Sequence, residues 1–258
     1  MSQPYIVMCM KWGTLYSADY VNVLFNAVKT HLTAPFRFVC LTDNSSGIDK
    51  GVECYPIPDP GLGQKYYGRG GWPKLLLHKA DLYGLQGRGL FIDLDSIVCG
   101  DLQPMLQAPG GIVMIREWRR FADYFRRYQV NGATGVFAWD IGSQPQIHDR
   151  FIADPAKVTL DYRSEQRFVT DNAADIRFWQ PLDVISFKRH LMAPAFLDRF
   201  MAVKEPPSGT RIVAFHGHPR PIDVVPDRNQ SWGKGLRHGR GAVGFVRRYW
   251  LENGGTEP

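Results

Sequence analysis

The stretch Leu90-Phe91-Ile92-Asp93-Leu94-Asp95-Ser96-Ile97-Val98 sets two carboxylates, one residue apart, inside an otherwise apolar run. It reads as a buried strand. Side chains alternate between the faces of a strand, so Asp93 and Asp95 are expected to point the same way. Two carboxylates aimed into one space repel, and each raises the pKa of the other unless a proton or a cation lies between them. A hard, oxygen-seeking divalent ion, Mn²⁺ or Mg²⁺, is the natural occupant. A bare D-x-D arises by chance in a chain rich in Asp, so the surrounding sequence decides its weight. Upstream, Gly71 to Tyr83 has helical period with Pro73 near its start, and a Gly-rich turn from Gly84 to Gly89 leads into the strand.

The 258 residues, 44% hydrophobic and 13% aromatic, suffice for a sizeable core and exclude a disordered chain. No run approaches the ~20 apolar residues that span a bilayer. The first apolar run, Tyr5 to Met10, lacks the flanks of a secretion signal, so a soluble, cytoplasmic protein is expected. Cys9, Cys40, Cys54 and Cys99 show no C-x-x-C spacing and fall in or beside expected strands, which favours small apolar side chains over a zinc site or disulfides. A net charge of +6 suits a polyanionic partner: nucleic acid, an anionic membrane surface or a phosphorylated substrate.

Strands are expected over Tyr5–Met10, Phe36–Leu41 and Val52–Ile57, with a helix from Ser17 to about Leu32. Strand, helix, strand at these lengths begins an α/β sheet. Ligands of open α/β sheets bind beyond the carboxyl ends of the strands, which singles out Lys11, Trp12, Thr42 and Asp43. Pro56 to Gly71, rich in Pro and Gly and carrying Tyr66 and Tyr67, is a long loop of the functional kind. A further strand is expected over Gly111–Ile115. The Arg- and aromatic-rich stretch from Arg116 to Tyr128 then reads as an amphipathic helix with Phe121, Tyr124 and Phe125 inward. Near the end, Arg211–Phe215 forms a short strand running into His216-Gly217-His218-Pro219-Arg220-Pro221. Imidazole suits first-row transition metals, Mn²⁺ among them.

From Trp72 to Leu106 the chain resembles the GT-A glycosyltransferases, in particular the family-8-like retaining bacterial sugar transferases: a W-x-K-L-type helix start, an apolar strand, D-x-D, then a polar step and a short apolar turn. The resemblance extends over roughly residues 5 to 221 and implies a mixed, mostly parallel sheet flanked by helices, with a catalytic domain over 1–225 and a basic, aromatic appendage over 226–258. It implies a metal held by Asp93, Asp95 and His216, with His218 the alternative imidazole. It further implies nucleotide contacts at Lys11, Thr42 and Asp43, a donor cation at Lys74, and a phosphate cation at Arg220 in a compressed form of the family's H-x-x-G-x-x-K-P. Glu165 and Gln166 stand for its acid–amide pair beside the anomeric carbon, with Glu in place of the usual Asp. Asn131 to Trp139 matches the strand that supports the donor sugar, although Ala133 stands where the family has Asn, leaving Asn131 as the nearby amide. Glu117 is the counterpart of a residue that bonds sugar hydroxyls.

The implied activity is transfer of a sugar from a nucleotide-linked donor, UDP by resemblance, to a saccharide or lipid-linked acceptor, with retention. No nucleic-acid partner is expected, and the C-terminal segment is a candidate for peripheral membrane contact. Two other classes stay open: a nucleotidyltransferase that makes sugar nucleotides, for which Lys11-Trp12-Gly13-Thr14 is a faint signature, and a non-catalytic nucleic-acid or polyanion binder, which would bind without metal and weaken steeply with salt.

Overall fold

The computed structural model describes residues 3–59, 61–68, 70–118, 130–195, 197–226, 231–233 and 239–257. The stretch 119–129, with Phe121, Tyr124 and Phe125, lies outside them.

Strand β1 (Tyr5–Lys11) sends Val7 and Cys9 into one apolar cluster and Ile6, Met8 and Met10 into another. β2 (Phe36–Thr42) divides in the same way, with Phe38 and Cys40 on one face and Val39 and Leu41 on the other. A sheet apolar on both faces needs cover on both. α1 (Ala18–His31), with Ser17 and Leu32 at its ends, supplies Val21, Leu24 and Val28 to the first cluster.

The sheet continues through β3 (Glu53–Tyr55), β4 (Arg88–Ile92), β6 (Ile112–Arg116), β7 (Gly132–Asp140) and β8 (Ile176–Phe178) in the order β3-β2-β1-β4-β7-β6-β8. Its pairs are parallel except for β4 with β7 and β7 with β6. A smaller sheet joins β5 (Ser96–Val98), β10 (Ile212–Ala214) and β9 (Val184–Ser186), with β10 in the middle. The second face of the large sheet is covered by Trp72–His78, α3 (Pro145–Ala153) and α5 (Glu165–Asn172), while the short α2 (Gln103–Leu106) and α4 (Pro155–Asp161) bridge between elements. The architecture is the expected mixed, mostly parallel α/β sheet, and the four cysteines are free.

Three local expectations change. The run Leu90–Val98 is two strands in two sheets. The chain leaves the large sheet at Ile92, turns through Asp93–Asp95 with the Ser96 amide donating to the Asp93 carbonyl at 3.0 Å, and enters the small sheet at Ser96. The helix expected over Gly71–Tyr83 is a 3-10 helix confined to Trp72–His78, buried along its whole length, so packing on every side sets its winding in place of an amphipathic stripe. The C-terminal α6 (Gly244–Glu252) buries Phe245, Val246, Tyr249 and Trp250 in the same cluster as α1. Trp250 meets Tyr20 edge-on at 4.9 Å, so these aromatic residues form core and are not available to a membrane.

His78 is 2% exposed and stacks on Phe137 at 5.6 Å. Burial, with His148 adding to it, pushes its imidazole down to about 3, so the native ring is neutral. The unfolded chain takes up a proton near pH 6.5 that the native state refuses. Stability is therefore intact above that pH and falls by about 1.4 kcal/mol per unit as pH drops toward 3. In urea unfolding at pH 7 and pH 5, the parent is expected to lose about 2 kcal/mol more than His78→Phe on acidification; equal losses would rule out the buried neutral imidazole.

Candidate active site

The turn between the two sheets delivers Asp93 and Asp95 to a cavity of about 380 Å³ lined also by Trp12, Tyr16, Tyr67, Gly70, Gly71, Lys74 and Gly217. The Asp93 amide donates to the Gly135 carbonyl at 2.8 Å, which ties the turn to β7. Lys74, at the start of the buried 3-10 helix, is 8% exposed. Its Nζ donates to Asp93 Oδ2 at 2.6 Å and lies 5.4 Å from the centre of the Phe91 ring. Burial opposes the ammonium, but the Asp93 carboxylate, followed by Glu165 and Asp95, outweighs it and raises the Lys74 pKa. Asp93 is pushed up to about 7, by burial first; Lys74 pulls it down while Asp95 and Glu165 push it further up. Three carboxylates thus share one buried ammonium, and the cluster has negative charge to spare. Tyr16 stays a neutral phenol, held up by burial and then by Asp95 and Asp93.

Glu165 opens α5 behind Ser164, whose hydroxyl accepts from the Arg167 amide. The acid is 4% exposed, and its Oε1 accepts from Thr134 Oγ1 at 3.1 Å. A Cβ on Gly71 would lie 2.6 Å from Glu165 Oε1, so only glycine lets the cavity wall pass this close to the acid. A second cavity, of about 480 Å³, reaches Glu165 from the other side past Gly70, Trp72 and Arg163. Gln166 is half-buried next to it, and its backbone carbonyl accepts from Thr170. Asn131 donates to Glu117 Oε2 at 3.0 Å and accepts from Thr170 at 3.0 Å, so it braces α5 against β7.

The other expected residues fall outside this group. His216 has φ 42° and Gly217 φ 90°, a turn that brings the Gly217 amide to Asp95 Oδ2 at 2.9 Å. His216 Nε2 shares a hydrogen bond with Ser186 Oγ at 2.6 Å, and its ring lies 5.4 Å from that of Trp118. Burial, then Lys188 and Arg189, push that imidazole down to about 4. Among the described residues no three His, Cys, Asp or Glu side chains are grouped to hold a metal, so the Asp93–Asp95–His216 set is not assembled. His218 faces Asp223 at 3.2 Å. Arg220 pairs with Asp223 at 3.0 Å and donates to the carbonyl of Leu15, a residue of the cavity wall.

Lys11 and Thr42 are buried, and both donate to the Asn44 carbonyl; Asp43 accepts from the Gly13 amide at 2.8 Å. These three brace the loop and do not line the cavity, because each side chain is spent on backbone. The wall is aromatic instead: Trp12 donates to the Tyr67 carbonyl at 3.0 Å, joining the loop after β1 to the long Pro- and Gly-rich loop. Thr134 and Tyr16 are the residues the sequence reading missed. Thr134 lies next to Ala133 in the strand already singled out, and Tyr16 precedes the cap of α1.

No protein-family model matches the chain, and no characterised protein matches it by sequence. Solved structures do match by shape. The galactosyltransferase LgtC, solved with donor and acceptor sugar analogues, superposes with a TM-score of 0.58 at 12% identity, over 96% of this chain and 95% of LgtC. The fold is that of the GT-A glycosyltransferases. The glycosyltransferase GlyE of Streptococcus pneumoniae gives a TM-score of 0.60 at 12% identity, over 97% of this chain and 60% of its own. Mouse xyloside xylosyltransferase 1 gives 0.51 at 12% identity, over 83% and 98%. In this GT-A-like frame the cavity lies at the carboxyl ends of β1 and β4, where open α/β sheets take their ligands.

Lys74→Met removes the ammonium that the three acids share, and breaking a buried pair in this way is expected to cost about 3 kcal/mol at pH 7. The loss should shrink at pH 5, where Asp93, already pushed up to about 7 in the parent, takes up a proton. Urea unfolding at both pH values checks this; a variant as stable as the parent at pH 7 would contradict the pairing.

Proposed function

We propose that this chain is a glycosyltransferase that moves a sugar from a UDP-linked donor to a hydroxyl of a saccharide or lipid-linked acceptor, with retention of configuration. The observation that carries the reading is the meeting of Asp93, Asp95 and Lys74 in an aromatic-walled cavity at the carboxyl end of β4. LgtC, which shares the fold, is a galactosyltransferase solved with donor and acceptor sugar analogues, and this supports the two substrate classes.

Asp93 and Asp95 fit a divalent cation, since they offer hard oxygen donors amid unbalanced negative charge, and Mg²⁺ typically binds one or two carboxylates together with substrate phosphates. His216, turned toward Ser186, is not counted with them. Mn²⁺ or Mg²⁺ held there would neutralise the nucleoside diphosphate as it departs. Trp12, Tyr16 and Tyr67 offer faces to a planar base. Lys74 places a fixed cation where negative charge grows, and fixed charges in a site shielded from water act without reorganising. Arg220, held by Asp223 beside Leu15, is the cation for the distal phosphate. Glu165 steadies positive charge on the sugar ring in the transition state, and Gln166 follows it on the reacting side. The departing phosphate takes the acceptor's proton.

Calorimetric titration with UDP, with and without Mn²⁺, tests the reading. Binding is expected only with the metal and should weaken at least about tenfold in Asp95→Ala. UDP that fails to bind under any metal condition would remove this donor. Thr134→Val keeps the shape of the side chain but frees Glu165, and is expected to lower kcat about tenfold with the donor KM little changed. Thr134→Ser should restore the rate.

A further inference from the structure

Apolar side chains in this molecule are mostly interior, but three large exposed ones gather on one turn. The Lys204 amide donates to the Leu191 carbonyl at 3.0 Å and closes the base of the segment that carries them. The tip is a 3-10 turn over Leu197–Arg199, in which the Leu197 amide donates to Pro194 at 3.1 Å and the Phe200 amide to Leu197 at 3.0 Å. Leu197, Phe200 and Met201 are 51%, 80% and 50% exposed, whereas Asp198 of the same turn is 7% exposed. The usual arrangement is inverted, with the apolar side chains outside and the acid inside. An exposed apolar patch with a polar rim marks an interaction surface.

The rim is cationic. Arg189 and Lys204 are exposed at the base of the loop. Lys188 stands beside them with its Nζ on the His216 carbonyl at 2.9 Å. The nearby acid Glu205 is matched by Arg248 at 3.2 Å. An apolar tip above a basic base supplies the two weak signals that together hold a protein at an anionic bilayer, where either alone is marginal.

We propose that the turn Leu197–Met201 dips Leu197, Phe200 and Met201 into an anionic membrane surface while Arg189 and Lys204 rest on the headgroups. The complementary charge argues for lipid as the occupant: the tip turns its acid inward and the rim presents cations. The aromatic residues of α6 cannot serve in its place, because they are core.

The test is sedimentation of the full chain with phosphatidylcholine vesicles, with and without phosphatidylglycerol, at low and at physiological salt. Binding is expected to the anionic vesicles and to weaken with salt. Phe200→Ser combined with Met201→Ser should reduce it about tenfold or more. Arg189→Gln with Lys204→Gln should reduce it on anionic vesicles, and Leu251→Ser on α6 should leave it unchanged. All the altered side chains are exposed, so unchanged unfolding midpoints are expected and confirm that each variant is folded. Absence of binding by the parent, equal binding by the Phe200/Met201 variant, or a dimer of the parent that this variant converts to monomer would overturn the proposal.

Discussion

The Lys74 ammonium is buried, and it is held there by Asp93 at 2.6 Å with Glu165 and Asp95 around it. A lone buried ammonium would be costly, and so would three acids without it. The pairing therefore fixes, relative to one another, the segments that carry these groups: the 3-10 helix of Lys74, the end of β4, and the start of α5. Thr134 extends the constraint into β7 through Glu165, while the Gly132 amide of the same strand donates to Thr170 of the same helix. The cavity wall inherits its shape from this network, down to Gly71, where a side chain would strike the acid.

The turn at Asp93–Asp95 is also where the large sheet hands the chain to the small one. A continuous strand would have kept both acids within one hydrogen-bonded ladder. The break lets Asp93 face Lys74 while Asp95 receives the Gly217 amide from the end of β10. The small sheet thereby brings the His216-Gly217 turn to the acids, and it brings backbone where the resemblance had placed an imidazole.

Two of the loops complete the picture physically. The Pro- and Gly-rich loop contributes Tyr67 and Gly70 to the cavity and is anchored by Trp12. The turn Leu197–Met201 presents exposed apolar side chains, with Arg189 and Lys204 exposed at the base of its loop. One loop walls the cavity and the other carries the exposed patch.

The sequence by itself determined the alternating and continuous apolar patterns, and with them β1, α1, β2 and the double-faced sheet, because burial of apolar side chains at period two or 3.6 is a local property of the chain. It also singled out Asp93, Asp95, Lys74 and Glu165 as candidate site residues, but in separate roles, and their grouping around one ammonium came from the tertiary structure. Tertiary structure alone decided the break within Leu90–Val98, since whether Ser96 pairs with β10 or stays in the first sheet depends on a partner more than a hundred residues away in the sequence. It alone decided that Lys11, Thr42 and Asp43 spend their side chains on backbone and that His216 faces Ser186. These are matters of direction, set by φ angles and by competing hydrogen-bond partners that no spacing in the sequence records.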